Sequence, residues 1–320
     1  MHGGGMTNPA LVLGAMKFGT EIDEDTSFAL LDRFVEAGGV WIDTADCYSF
    51  WASESGYGGQ SELVLGRWLA ARPGMRDRVR LSTKVGAEPM DAADWPASRE
   101  GLSAGVIRSA FEGSLQRLGT DRVDLLWAHM EDRRVAIEET ADALSEVVRS
   151  GGAPRVGMSN HPAWRVERAR ARAIAAGGHP VDAMQLSRSY LVPRPGAQPE
   201  GQNHRFGIMS DEQVDFAAEN GLDLWAYTPL LSGAYDNAAK PISDTYEHSG
   251  TERRLAALDA VASELGVSRG QVVLAWLVGG SPSITPILGG SRLEQLDSAL
   301  QGVALELPPE LRGRLDAAAP

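Results

Sequence analysis

Four polar side chains follow short apolar runs of the sequence and have the chemistry for acid–base catalysis on a carbonyl group. Asp43 and Tyr48 lie in IDTADCYSFW, Lys84 in LSTKVG and His129 in LLWAHM. A phenol has a pKa of about 10, and a neighbouring ammonium group lowers it by stabilising the phenolate. We expect Lys84 to supply that charge and Asp43 to hold Lys84 in place. His129 would donate a hydrogen bond to the carbonyl oxygen as charge develops there.

Each of these residues also has an ordinary structural interpretation. Asp43 and Lys84 fit a partly buried ion pair, Tyr48 fits a packing aromatic, and a histidine at a strand end is often simply hydrogen bonded. A strand-end lysine can also form a Schiff base in a lyase or aldolase, although a neighbouring Asp43 opposes this by keeping Lys84 charged. The catalytic hypothesis therefore depends on the fold bringing all four residues together.

Eight short apolar runs alternate with longer segments of helical period, which is typical of βαβ units and a parallel sheet. The runs are Leu11–Leu13, Val40–Asp43, Val79–Ser82, Val123–Trp127, Arg155–Met158, Ala183–Leu186, Leu222–Ala226 and Ile284–Leu288. Glycines suited to left-handed helix ends follow several helical segments. They are Gly38, Gly119, Gly151, Gly221 and Gly266. Because a doubly wound sheet usually has fewer strands, we predict an α/β fold of the (β/α)8 TIM-barrel class in a single domain.

The predicted barrel domain spans residues 11–320, after an N-terminal segment of residues 1–10 that we expect to be mobile. Two long connections, 187–205 and 228–250, follow predicted strands and are rich in turn-forming residues. Connections after the strands of such a barrel lie on its catalytic face, where long loops usually cover ligands. We expect both to lie over the site, with disorder as the alternative.

The composition narrows the classes of partner. The net charge of −13 disfavours nucleic acid and anionic membrane as partners. The single cysteine, Cys47, forms no intrachain disulfide and suits a reducing compartment. No signal-peptide pattern or long apolar run is present, so we expect a cytoplasmic protein that acts on a small molecule, as a monomer or homo-oligomer.

Neither Cys47 nor His129 shows the pattern of a metal or redox site. Cys47 is interpreted as a small apolar filler, because no second thiol or partner base accompanies it in the motif. His129 with Glu131 and Asp132 lacks a second histidine at ligand spacing. The sequence therefore predicts no bound metal.

Several segments resemble the aldo-keto reductase family over nearly the whole chain, from about Leu11 to Leu300. They are DTADCY, GGQSELVLGRWL, STKVG and DLLWAH. The resemblance implies a catalytic tetrad of Asp43, Tyr48, Lys84 and His129, with Tyr48 as the general acid in NADPH-dependent reduction of an aldehyde or ketone. No G-x-G-x-x-G follows a strand, so the cofactor, NADPH (NADP+), is implied by the resemblance alone. The alternative function is a cofactor-sensing regulatory β subunit with little turnover.

The segments GMSN, WAYTPLLSG and ITPILGGSRLEQLDSAL resemble the family's cofactor-binding segments. The implied cofactor-binding residues are Ser159, Asn160, Gln185, Tyr227, Pro229, Leu230, Gly233, Gly289, Ser291, Arg292 and Gln295. The first three would hold the nicotinamide carboxamide, and Tyr227 would stack beneath the ring. Pro229, Leu230 and Gly233 would line the pyrophosphate. Ser291 and Arg292 would bind a 2′-phosphate at a helix start, and Gln295 would reach the adenine.

The loop after Tyr48 departs from the family pattern by an extension, SFWASESGYG. It places Trp51 three residues after Tyr48, while Trp127 lies two residues before His129. Both tryptophans are therefore candidates for the wall of the substrate pocket. We expect bulky or aromatic carbonyl compounds to be tolerated.

Overall fold

Eight parallel strands close into a barrel in chain order in the computed structural model, which describes residues 10–197 and 206–318. The strands are β1 (Val12–Gly14), β2 (Trp41–Asp43), β3 (Arg80–Val85), β4 (Leu125–Ala128), β5 (Val156–Ser159), β6 (Ala183–Ser187), β7 (Asp223–Tyr227) and β8 (Ile284–Leu288). β1 pairs with both β2 and β8, which leaves no free edge. The predicted (β/α)8 barrel is confirmed, and every strand lies within about three residues of its predicted place.

The helices surround the barrel. They are α1 (Glu24–Glu36), α2 (Gln60–Ala70), α3 (Met75–Arg78), α4 (Ala104–Leu118), α5 (Ile137–Arg149), α6 (Ala163–Ala175), α7 (Asp211–Asn220), α8 (Ser249–Leu265), α9 (Arg269–Val278), α10 (Leu293–Ala304) and α11 (Pro309–Ala317). The predicted glycines after α1, α4, α5, α7 and α8 all have positive φ, which confirms their role at helix ends. None of the helices in the described part of the chain has the length and apolar composition of a membrane span.

Successive strand residues point alternately into the barrel and outward to the helices, which gives an inner and an outer apolar layer. Residues such as Ile42 and Leu126 belong to the large core shared with the helices, whereas their neighbours on the strands point into the barrel. Three inner tryptophans, here called the tryptophan floor, are Trp41, Trp127 and Trp225, with ring centroids 5.2 Å apart in each contacting pair. The floor packs the barrel beneath the strand ends, and polar inner residues lie above it.

The two long connections contact each other where both are described. The Ser189 hydroxyl donates to the Pro229 carbonyl at 2.7 Å and lies 2.8 Å from the Tyr235 hydroxyl. In the second connection, single-turn 3-10 helices span Leu231–Gly233 and Asp244–Tyr246. Residues 1–9 and 198–205 lie outside the described residues, so the predictions of a mobile segment 1–10 and a covering loop 187–205 stay predictions.

Candidate active site

Lys84 lies at the centre of the predicted tetrad. Its side chain is fully buried, and Nζ lies 2.5 Å from Asp43 Oδ2, 2.7 Å from the Thr44 carbonyl and 2.8 Å from the Tyr48 hydroxyl. An ammonium group has three N–H donors, and these three acceptors use all of them. This arrangement keeps Lys84 charged and disfavours the Schiff-base alternative, which requires a neutral amine.

Asp43 is held by strand neighbours as well as by Lys84. Its Oδ1 accepts hydrogen bonds from the Ser82 hydroxyl at 2.6 Å and from Gln185 Nε2 at 3.4 Å. Asp43 and Ser82 are register partners in β2 and β3, and Ser82 shares the inner face with Lys84, two residues later. Sequence analysis missed Ser82, although this period-two alternation is a signal that identifies it.

The Tyr48 hydroxyl lies in an environment that opposes its ionisation. Burial, followed by the negative charge of Asp43, raises its pKa well above the usual value for a phenol. We expected Lys84 to lower this pKa, but the net shift is upward, because burial of the phenol outweighs the nearby ammonium. Tyr48 therefore carries its proton at neutral pH, as a general acid must.

The imidazole of His129 faces Tyr48. Their ring centroids lie 5.7 Å apart in an edge-to-face arrangement, and the other contact of the imidazole is between Nδ1 and Cys47 Sγ, at 3.5 Å. Burial, followed by the charge of Lys84, lowers the pKa of His129 well below its usual value. The imidazole is therefore neutral, and its single ring proton is on either Nδ1 or Nε2.

Four of the implied cofactor residues meet beside the tetrad. Asn160 has a left-handed backbone, with φ of +58°, and its side-chain amide donates to the His129 carbonyl at 3.0 Å and to the Ser159 hydroxyl at 3.1 Å. The Tyr227 hydroxyl donates to Asn160 Oδ1 at 2.7 Å. Asn160 N–H donates to the Gln185 carbonyl at 3.1 Å. A non-glycine residue with positive φ at the end of a barrel strand is typical of a ligand-binding site.

The remaining cofactor residues lie at the ends of β7 and β8. Pro229, Leu230 and Gly233 belong to a turn in which Thr228, Leu231, Ser232 and Gly233 all have positive φ. Gly289 follows β8, and a side chain there would meet no atom closer than 3.9 Å, so the space in front of it is open.

At the start of α10, Gln295 and Arg292 differ in their contacts. Gln295 Oε1 accepts from Ser291 N–H at 3.0 Å, while Arg292, the exposed N-cap residue, pairs with no acid of the described segments. Along the candidate site, amide and hydroxyl groups thus lie near the tetrad. At the opposite end lies a guanidinium that pairs with no acid among the described residues. This order of groups fits a nicotinamide dinucleotide with a phosphate at its adenosine end.

A model of the aldo/keto reductase family matches residues 10–320. The chain belongs to the aldo/keto reductase family. It is 30% identical to an uncharacterized oxidoreductase, YrpG, of Bacillus subtilis (strain 168), over 96% of this chain and 91% of that protein. It is 31% identical to the norsolorinic acid reductase stcV of Emericella nidulans, over 94% of this chain and 75% of that protein. It is 28% identical to an aryl-alcohol dehydrogenase [NADP(+)] of Phanerodontia chrysosporium, over 96% and 82%.

Family membership makes this protein an oxidoreductase enzyme of a family that uses nicotinamide cofactors and acts on small carbonyl compounds. The resemblance identified in the sequence is confirmed. The roles of the individual residues stay predictions that the geometry accommodates.

The two candidate substrate residues of this aldo/keto reductase lie in different places. Trp51 is 47% exposed in a 3-10 helix, Phe50–Ala52, at the rim of the barrel mouth, and its indole N–H donates to Glu21 at 3.1 Å. Trp127 belongs to the tryptophan floor and has no exposed surface. It is accommodated by Gly157, where a Cβ atom would lie 2.3 Å from the indole. This position favours packing for Trp127, and its contact with substrate stays a prediction.

An apolar group surrounds Tyr48, and of its members the sequence suggested only Trp95, as a less certain candidate for the pocket wall. Phe50, Met130 and Trp95 pack beside Tyr48 in one cluster with Cys47. The Trp95 indole N–H donates to the Ala87 carbonyl at 2.9 Å, which fixes this ring. These residues come from the loops after β2, β3 and β4, and only the closed barrel brings them together.

A second missed feature of the reductase is a set of carboxyl groups behind the tetrad, here called the acidic group: Asp46, Glu62, Glu88 and Glu100. Glu62 is fully buried and pairs with Arg117 at 2.7 Å. Burial raises the pKa of Glu88 to about 7, and burial followed by the charge of Glu100 raises that of Asp46 well above its usual value. Because these residues are spread from 46 to 100, no local motif reports their proximity.

Proposed function

We propose that this aldo/keto reductase reduces an aldehyde or ketone to the alcohol with NADPH, with Tyr48 as the general acid. The observation that carries the proposal is the buried contact of the Lys84 ammonium with both Asp43 and the Tyr48 hydroxyl, at 2.5 and 2.8 Å. The chemistry is consistent with the names of two relatives, a norsolorinic acid reductase and an NADP(+) aryl-alcohol dehydrogenase.

Bound NADPH supplies a hydride to the carbonyl carbon. Ser159, Asn160 and Gln185 would hold the carboxamide, and the ring of Tyr227 would support the nicotinamide face. As negative charge develops on the carbonyl oxygen, Tyr48 transfers its proton there and the oxygen becomes a hydroxyl. The result is an alcohol, one oxidised cofactor and a tyrosinate.

Lys84 and His129 act on the charges that this transfer creates. Lys84 Nζ already hydrogen bonds the Tyr48 oxygen, so it stabilises the phenolate as soon as the proton leaves. His129, neutral and protonated on Nε2, donates a hydrogen bond to the same carbonyl oxygen and keeps it beside Tyr48. Solvent then returns a proton to Tyr48, which restores the enzyme.

The direct test measures cofactor binding and turnover separately. Quenching of the intrinsic tryptophan fluorescence by NADPH reports binding, and loss of NADPH absorbance with aryl and alkyl aldehydes and ketones reports multiple turnovers. We expect both signals. Tight NADPH binding with only slow, single-turnover oxidation across the whole panel would contradict the proposal and favour the regulatory alternative.

Replacing Arg292 with alanine is expected to weaken NADPH binding by about ten- to hundredfold, the value of a lost charge-assisted hydrogen bond, while NADH binding changes little. Fluorescence titration of both cofactors measures the two effects. Arg108→Ala, which removes an exposed arginine from α4, is the matched control. Equal loss of affinity for NADPH and NADH would contradict pairing of Arg292 with a 2′-phosphate.

Replacing Trp51 with alanine is expected to raise the KM for aryl aldehydes by about 2- to 13-fold, because one aromatic contact contributes about 0.5–1.5 kcal/mol. A small alkyl aldehyde, which cannot reach the rim, serves as the internal control and should keep its KM. Steady-state assays with both substrates measure the change. Unchanged kinetics for both would remove Trp51 from the substrate pocket.

A further inference from the structure

Three donor groups of different chemistry meet beside the catalytic centre. A carboxylate oxygen of Asp46, Sγ of Cys47 and a ring nitrogen of His129 all lie within 4.8 Å of one another. Cys47 Sγ and His129 Nδ1 are 3.5 Å apart. Zinc bonds of about 2.3 Å to sulfur and about 2.0–2.1 Å to nitrogen, at a tetrahedral angle, place the two atoms about 3.6 Å apart. The thiol and the imidazole therefore already have the separation that a shared zinc ion requires.

The carboxylate of Asp46 supports this geometry independently. The residue is 4% exposed, and no amide, hydroxyl, ammonium or guanidinium group of the described residues donates to either carboxylate oxygen. Its polar neighbour is another carboxyl group, that of Glu100, and Asp46 is a neutral acid beside it, as its raised pKa indicates. An ionised carboxylate at this buried position needs a counter-charge, and a bound cation would supply it.

We propose that Asp46, Cys47 and His129 form a binding site for a thiophilic divalent cation such as Zn²⁺. An ionised carboxylate, a thiolate and a neutral imidazole carry two negative charges, which a divalent cation balances. Three protein ligands leave one tetrahedral position for water. Sulfur and nitrogen donors select zinc-like ions over Mg²⁺ and Ca²⁺, which take oxygen ligands. The sequence analysis predicted no metal, because the third donor is not apparent from the spacing.

A cation bound at this site would affect the proposed catalysis through one atom, Nδ1 of His129. Binding breaks the S–H bond of Cys47 and the O–H bond of Asp46 and releases both protons to solvent, and the cation replaces the thiol proton as the partner of Nδ1. His129 then keeps its ring proton on Nε2, where the proposed function requires it. Only this consequence rests on the proposed function, whereas binding itself does not.

The test uses Cd²⁺, whose bond to a thiolate gives an ultraviolet charge-transfer band. Cys47 is the single cysteine of the chain, so a band from the whole protein reports this residue alone. We expect the band to saturate at one Cd²⁺ per chain, and Zn²⁺ but not Mg²⁺ to displace it. Because the measurement needs neither substrate nor turnover, its outcome is independent of the proposed function.

Substitutions distinguish a three-ligand site from binding to the thiol alone. Asp46→Asn and His129→Gln should each weaken Cd²⁺ binding by at least about tenfold, since even outer-sphere partners contribute about 10- to 100-fold. His179→Gln and Glu54→Gln, which change a histidine and an acid elsewhere, should leave the affinity unchanged. Absence of the band, a band that Zn²⁺ does not displace, or equal affinity in Asp46→Asn and His129→Gln would overturn the site. If one of the two variants fails to fold, the other still tests the site, because each removes a different ligand.

Discussion

Replacing Tyr48 with phenylalanine is expected to lower the rate of carbonyl reduction by about 10²- to 10⁴-fold, the usual contribution of a general acid, while NADPH binding is retained. Among the described residues the hydroxyl hydrogen bonds only to Lys84, and Lys84 keeps Asp43 and the Thr44 carbonyl as acceptors. The phenyl ring keeps its packing against the apolar cluster that contains Phe50 and Met130. The loss should therefore fall on kcat, measured by NADPH absorbance, and not on folding.

Tyr57→Phe is the matched control for this variant, because Tyr57 lies in the same loop and is 54% exposed. It should keep full activity. If Tyr48→Phe retained turnover within a few-fold of the original enzyme, another group would have to supply the proton. Loss of NADPH binding in Tyr48→Phe would instead show that the tyrosine is structural.

Replacing Lys84 with methionine is expected to reduce the free energy of unfolding by about 3–5 kcal/mol, because it leaves the buried Asp43 carboxylate without its counter-charge. Methionine nearly matches the length of the lysine stem, so the loss reports charge and hydrogen bonding more than volume. The Ser82 and Gln185 hydrogen bonds to Asp43 remain, but they do not neutralise it. Urea denaturation followed by circular dichroism measures the change.

The double variant Asp43→Asn with Lys84→Met separates the ion pair from packing. Removing both charges should cost clearly less than the sum of the two single substitutions, since each single variant leaves one buried ion unpaired. Additive costs would mean that the two side chains do not interact across 2.5 Å as the structure indicates. The double variant should remain inactive, because Tyr48 lacks its cation.

The barrel was predictable because each of its strands is an apolar run, buried on both faces and followed by a helix. The clearest error in strand limits is in β3, which was expected to end at Ser82 and extends to Val85. Its polar residues Ser82 and Lys84 point inward to the site, so the apolar signal stops before the strand does. Polar site residues at the end of a strand therefore make the limit of that strand difficult to predict from hydrophobicity.

The proximity of the four proposed tetrad residues was predictable because each lies at a strand end, and parallel strands present their carboxyl ends on one face. The contact between Cys47 and His129 was not, since they are 82 residues apart and no pattern links a thiol to a particular imidazole. The direction of the Tyr48 pKa shift was not predicted either, because it is set first by burial and then by the charge of Asp43, and burial depends on the packing of the whole fold. The sequence identifies the ionisable groups, whereas the distances between them in the fold determine their protonation.

The strands of the closed barrel follow one another around the ring in chain order. Two consecutive halves of the chain therefore carry the two parts of the proposed chemistry. β2, β3 and β4 carry the proposed proton-transfer residues, and β5 to β8 carry the proposed cofactor residues. The turn between α5 and β5, at 150–155, separates them. A chimera joined at this turn would inherit acid–base chemistry from one parent and coenzyme preference from the other, so recombination can vary the two properties independently.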